Sequence, residues 1–200
     1  MPMLDQCMKT AGLSPRDLDG IACTSGPGSF TGIRIGVSTA KGLAHAIGLS
    51  IIAVPTLDAL AYNIFDITSL IIPVMDARRG QVYTASYRID NNSQQMTRLN
   101  DYACIPLSDI LLDLEKIGQR AVFTGDGVSP LHNSRDILSK GHAIASANMH
   151  QVRASSVGLL ALDKICGGYK PLHYSALTPL YLRKPQAERD LEARSSLSYK

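Results

Sequence analysis

The sequence has no run of lysine and arginine, no CxxC pair, no HxxxH pair and no apolar stretch of membrane-spanning length. Each absence removes a class of function. The basic residues are scattered and the net charge is only +3, so no basic stripe argues for a direct nucleic-acid surface. The four cysteines, Cys7, Cys23, Cys104 and Cys166, stand too far apart in sequence for a redox or zinc pair. None of the five histidines, His45, His132, His142, His150 and His173, has another four residues away, so no HxxxH or HExxH metal site exists. With no signal peptide and no apolar span, the expected location is cytoplasmic and reducing, away from membranes. Cys7 and Cys23 lie in apolar periodic segments and are expected as buried thiols.

What is present is a globular composition: 200 residues, 45% hydrophobic and 18% charged, with 16 glycines and 10 prolines. Apolar residues at Met1, Leu4, Met8 and Ala11 share one helical face, and Gly12 closes that helix. Ser14-Pro15-Arg16-Asp17 starts a short helical turn. Strands are expected over residues 21–24, 49–54, 70–75, 121–123 and 142–146, with helices over 32–47, 56–65, 108–117, 134–139 and 155–166. Thr56 is expected to cap its helix. Arg78-Arg79-Gly80 reads as a tight turn leading to one antiparallel strand over 81–89, and 90–100 as a polar loop or hairpin extension. The mixed-sign tail over 183–194 reads as a solvated helix face. Alternating strands and helices define an α/β class. The chain opens inside a helix, where a doubly wound domain opens on a strand, so the expectation is that the first lobe lacks its beginning.

Glycines and a proline concentrate in Ser25–Gly36, SGPGSFTGIRIG. A Walker loop fails there, because Gly32 lies one residue too far from Gly26 and Ile33 stands where lysine belongs. The dinucleotide fingerprint fails at Thr31, which occupies the third glycine position after Gly26 and Gly28. A nucleophile elbow around Ser29 fails at Pro27 and Thr31. A turn that launches a helix remains, with a free N-terminus that can take an anion. That helix carries Gly32, Gly36 and Ala40 at four-residue spacing, continuing to Leu43 and Ile47. Glycine inside a helix costs about 1 kcal/mol against alanine, so the stripe points to close approach by another backbone. Ile33, Val37 and Ala44 supply a separate, sheet-facing side. Two apolar sides on one surface helix point to a partner. Asp76 at a strand end, and Gly125 and Asp126 in a second glycine turn, are candidate ligand-proximal residues or plain turn formers. Pro179–Arg183 reads as an extended segment without chemistry.

Five stretches, GPGSFTGIRIGVSTAKGLA (26–44), PTLDALA (55–61), MDARRGQVYTASY (75–87), TGDG (124–127) and PLYLR (179–183), resemble the glycoprotease-like TsaB (YeaZ) family in order along nearly the whole chain. The resemblance implies a two-lobed actin/sugar-kinase/Hsp70-like fold. Residues 1–68 with 176–200 would form an N-terminal lobe lacking its first strands, and 69–175 the other lobe. It implies a non-catalytic partner of TsaD, the transferase that threonylcarbamoylates the tRNA adenosine beside the anticodon. The ATPase TsaE joins that pair, tRNA is met through the complex, and a homodimer is a second implied assembly. The contact implied is built from the first two helices, here Leu4, Met8 and Ala11 with Gly32, Ile33, Gly36, Val37, Ala40, Leu43 and Ile47. Gly26, Gly28, Ser29, Asp76, Arg78, Gly125 and Asp126 are the expected ligand-proximal positions. No cofactor and no metal are expected. The alternative is an enzyme of the same fold, an ATPase or a peptidase, with Ser29, Asp76 and Asp126 as its candidates.

Overall fold

A parallel pair of strands, covered by helices on both faces, forms the first part of the molecule. The computed structural model describes residues 2–66, 68–132 and 139–183. Strand β1 (Gly20–Gly26) runs beside β2 (Ser50–Pro55), from Gly20 opposite Ser50 to Gly26 opposite Pro55. The crossover between them is helix α2 (Phe30–Ile47), after α1 (Pro2–Ala11) at the chain's start. Helix α2 begins two residues before the expected Gly32, because Ser29 Oγ accepts the Gly32 amide at 3.4 Å and caps the N-terminus. Gly48, at φ 72°, closes the helix in the left-handed conformation that glycine adopts freely. Val37, Ala40 and Ala44 pack on Ile51 and Leu177. On the opposite face, Ala59 of α3 (Thr56–Ala61) and Val157, Leu160 and Ala161 of α5 (Ala154–Cys166) bury Ile52 and Val54.

The second sheet is mixed. Its order is β6-β5-β3-β4-β7, with β8 parallel to β3 and β9 parallel to β8. The strands are β3 (Leu70–Arg78), β4 (Gln81–Thr84), β5 (Tyr87–Ile89), β6 (Met96–Arg98), β7 (Ala103–Pro106), β8 (Ala121–Thr124) and β9 (Ala143–Ile144). The single strand expected over 81–89 is two. Both keep one register against β3, Ile71 opposite Tyr87 and Val74 opposite Thr84, so the break falls opposite Ile72 and Pro73. Pro73 has no amide to offer, and Ser86 turns to Asn100 and Leu99 instead. Helix α4 (Leu107–Ile117), closed by Gly118 at φ 67°, covers one face and buries Ile110 and Leu114 against Leu70, Ile72, Val74, Val82 and Phe123.

Three further expectations need correction. No residue of α1 is buried, and Cys7 is exposed; only Cys23, half-buried in β1, has the buried character expected of both, with burial raising its thiol pKa. Helix α3 stops at Ala61 rather than Phe65, because Asn63 Nδ2 donates to the carbonyls of Met149 and Gln151 and pulls the backbone into a turn. Its N-cap is Pro55, and Thr56 is its first helical residue. Within α3, Asp58 Oδ1 accepts from both Tyr87 Oη and Tyr102 Oη at 2.7 Å. Burial, and then the Asp58 carboxylate, push both phenol pKa values up. The helix expected over 134–139 and the tail beyond residue 183 lie outside the described residues, apart from Ser139.

Two histidines are structural acceptors. His142 Nδ1 accepts the Ala121 amide and His150 Nδ1 the Gly125 amide, both at 3.2 Å, so each ring is neutral at that nitrogen. Burial lowers both pKa values, with Lys140 adding to the shift at His142 and His132 at His150. Below the ordinary value of 6.5 the unfolded chain therefore binds more protons than the folded one. The contribution of these rings is complete above about pH 6.5 and is lost as pH falls toward the lowered folded values. Thermal melts are expected to hold level from pH 8 to 7 and then drop below 6.5. His142→Asn, whose Oδ1 can still accept the amide, should flatten that drop; an unchanged profile would show that His142 does not carry it.

Candidate functional site

The loop Ser25–Ser29, the β3–β4 turn, Asp126 and the segment Leu180–Arg183 enclose a cavity of about 700 Å³. The loop reaches it because Gly26, at φ 121°, lets the chain turn beneath Leu180. A Cβ on Gly26 would stand 2.5 Å from the Leu180 carbonyl oxygen. The Leu180 amide donates to the Ser25 carbonyl at 2.7 Å, and the Gly26–Pro27 bond is cis. Gly28 and Ser29 line the cavity. Ser29 Oγ is engaged as the helix cap, not poised as a nucleophile.

The opposite wall carries the charges. Asp126 Oδ1 accepts the Asp76 amide at 2.9 Å, and Asp76 Oδ1 accepts the Arg78 amide at 2.6 Å. Both carboxylates are thus tied to backbone donors. Arg78 and Arg79 sit at φ 63° and 57°, next to Gly80 at 72°. Left-handed backbone costs roughly 1–2 kcal/mol for a residue with a side chain, and here it makes the turn that directs both arginines to the cavity wall. Arg183 Nη1 donates to the Ala77 carbonyl at 2.9 Å. No histidine, lysine or cysteine lines the cavity among the described residues. Among those residues, no group of three His, Cys, Asp or Glu side chains is placed to hold a metal ion.

Of the expected ligand-proximal positions, Gly28, Ser29, Asp76, Arg78 and Asp126 meet at this one cavity. Gly26 and Gly125 do not line it. Gly125, at φ 115°, lies against β3, where a Cβ would come within 2.1 Å of the Val74 carbonyl oxygen. The Pro179–Arg183 segment, read from sequence as without chemistry, forms a wall. Tyr181 lies 5.2 Å from the Phe30 ring, its Oη accepts from Arg34 Nε at 3.0 Å, and Arg34 stacks 3.9 Å over Phe30. No local signal reveals these pairings, which join residues about 150 positions apart.

The helix stripe divides. Val37 and Ala40 are buried on the chain's own sheet, and Ile33 is half-buried there. Gly32 and Gly36 are exposed, and nothing within the chain lies within 4 Å of a Cβ at Gly36. Leu43 and Ile47 are half-buried. Beside them Ile35 is 62% exposed, and on α1 Leu4 is 45% exposed while Met8 is half-buried and Ala11 exposed. No helix among the described residues is long and apolar enough to cross a membrane.

A helix-flanked parallel pair joined to a mixed sheet, with a cavity at the glycine loop between them, is the α/β architecture of the actin/sugar-kinase/Hsp70-like class. Two solved Pseudomonas aeruginosa structures share the fold. One is described as similar to peptidase YeaZ (TM-score 0.76, 24% identity, 91% of this chain and 82% of that one), the other as YeaZ (TM-score 0.72, 22% identity, 90% and 82%). The family model for TsaD, tRNA N6-adenosine threonylcarbamoyltransferase, matches residues 1–190. The tRNA threonylcarbamoyladenosine biosynthesis protein TsaB of Bacillus subtilis is 35% identical over 190 residues, covering 94% of this chain and 80% of that protein. TsaB of Escherichia coli is 39% identical over 94 residues, 46% of this chain and 41% of that one. The chain belongs to this family, in its TsaB (YeaZ) branch.

Proposed function

We propose that this chain acts in tRNA threonylcarbamoyladenosine biosynthesis as a non-catalytic scaffold that pairs with TsaD. TsaE joins the pair, and tRNA is met through the assembled complex in the cytoplasm. The observation that carries the reading is the surplus of apolar surface on the first two helices. Helix α1 buries none of its residues, and α2 presents Ile35 and an open Gly36 outward. Exposed apolar surface rimmed by polar residues is the mark of an interaction face. The outward residues Leu4, Met8, Ala11, Gly32, Gly36, Leu43 and Ile47 are the proposed contact, and the two-lobe division of the chain belongs to the same proposal. The engagement of Ser29, Asp76 and Asp126 by backbone amides supports a scaffold over an ATPase or peptidase. ATP hydrolysis by the purified chain, lost in Asp76→Ala, would favour the enzyme instead.

Size-exclusion chromatography with light scattering, on the chain mixed with TsaD, tests the pairing. A one-to-one complex is expected. Gly36→Leu should abolish it, because leucine fills the space a partner backbone would occupy. In the free chain that leucine meets nothing and improves helix propensity by roughly 1 kcal/mol, so the variant should melt no lower than the parent. A complex that survives Gly36→Leu would overturn this contact.

A further inference from the structure

A second cavity, of about 220 Å³, lies far from the glycine loop, between α4 and the sheet face it covers. Its interior wall is Leu70 and Ile72 of β3, Ile105 of β7, and Ile110 and Leu114 of α4. One polar side chain interrupts this wall. Thr84 of β4 is 5% exposed, and its Oγ1 has no hydrogen-bond partner among the described residues. The polar groups at the mouth are already matched. Ser86 and Asn100 bond each other, the Ser86 amide to Asn100 Oδ1 at 2.7 Å and Asn100 Nδ2 to Ser86 Oγ at 3.3 Å. Lys116 pairs with Asp113 at 3.0 Å.

A buried hydroxyl without a partner is costly to keep. Water is a poor answer here, because a buried water needs two to four polar partners and the interior wall supplies one. An apolar cavity of about 150 Å³ stays dry and admits benzene. This one has room for a ring and a small substituent, with a single hydrogen-bonding atom to orient it. We propose that the cavity binds a small uncharged molecule of one ring bearing a hydroxyl, a phenol-type ligand, whose oxygen pairs with Thr84 Oγ1. Binding here involves none of the residues of the proposed scaffold face or of the glycine-loop cavity.

The test titrates the full chain with p-cresol and with toluene, following methyl chemical shifts by NMR, for the parent and for Thr84→Val and Thr84→Ser. Valine matches threonine in volume, so it isolates the hydroxyl. The parent should bind p-cresol about tenfold more tightly than toluene, the factor one hydrogen bond supplies. Thr84→Ser should keep the preference, and Thr84→Val should bind the two alike. Without ligand, Thr84→Val should melt above the parent, since it removes an unpartnered polar group. Absence of saturable binding overturns the proposal, as does a preference that survives in Thr84→Val. A Thr84→Val chain that melts below the parent or fails to fold also overturns it, because the hydroxyl would then already have a partner.

Discussion

Gly125→Ala is expected to leave little folded protein. At φ 115° the residue holds a backbone conformation that side chains rarely adopt. The new Cβ would lie 2.1 Å from the Val74 carbonyl oxygen and 3.0 Å from Leu60 Cδ2. Val74 is fully buried in the middle of β3, so that oxygen cannot move aside without shifting the central strand. Gly127 presses on the same carbonyl, with a Cβ position 3.0 Å away, which removes the slack on that side. A cost of about 4 kcal/mol or more is expected, the range reserved for buried backbone clashes and a large part of a domain's total stability. Gly48→Ala is the control. It shares a positive φ, 72°, but nothing lies within 4 Å, so only the conformational penalty of roughly 1–2 kcal/mol applies. Urea midpoints of the two variants decide the matter; equal losses would mean that close approach to β3 is not what requires glycine at 125.

Asp58→Ala is the second large effect. One carboxylate oxygen receives two phenol hydroxyls, and Tyr87 is 1% exposed. Removing it strands the Tyr87 hydroxyl in the core, at a cost of about 3 kcal/mol once lost packing is included. The bond ties α3 to β5 and to the segment before β7, so the loss should appear in the global transition. Tyr87→Phe placed on top of Asp58→Ala should recover part of the loss by deleting the stranded group. Strict additivity of the two substitutions in denaturant melts would contradict the coupling.

Much of the α/β order was legible because it rests on local chemistry. Ser29 and Gly48 bracket α2, Gly118 closes α4, and Gly167 follows α5, each a cap whose residue type follows from its backbone geometry. The glycine loop, Asp76 and Asp126 were legible as a candidate site for the same reason, since strand-to-helix turns in α/β folds face a common crevice. What escaped depends on distant partners. The end of α3 is decided by carbonyls at Met149 and Gln151, nearly 90 positions away. The break between β4 and β5 is decided by Pro73 on the neighbouring strand. Cys7 carries the right periodicity for burial, but periodicity gives a face and not the surface that covers it. Tyr181 and Arg183 gave no sign in sequence, because Phe30, Arg34 and Ala77, which hold them, are more than 100 positions upstream.

The segment from Leu177 to Arg183 has a mechanical consequence. Leu177 is buried under α2, the Leu180 amide is bonded to Ser25 at the end of β1, and Arg183 is bonded to Ala77 near the end of β3. Seven consecutive residues are thereby fastened to both sheets, across the mouth of the cavity that the sheets share. They act as a guy-line. Swinging one sheet away from the other must stretch this line until a main-chain hydrogen bond or the Arg183 bond gives way, so the aperture has a preferred width and resists widening from that side.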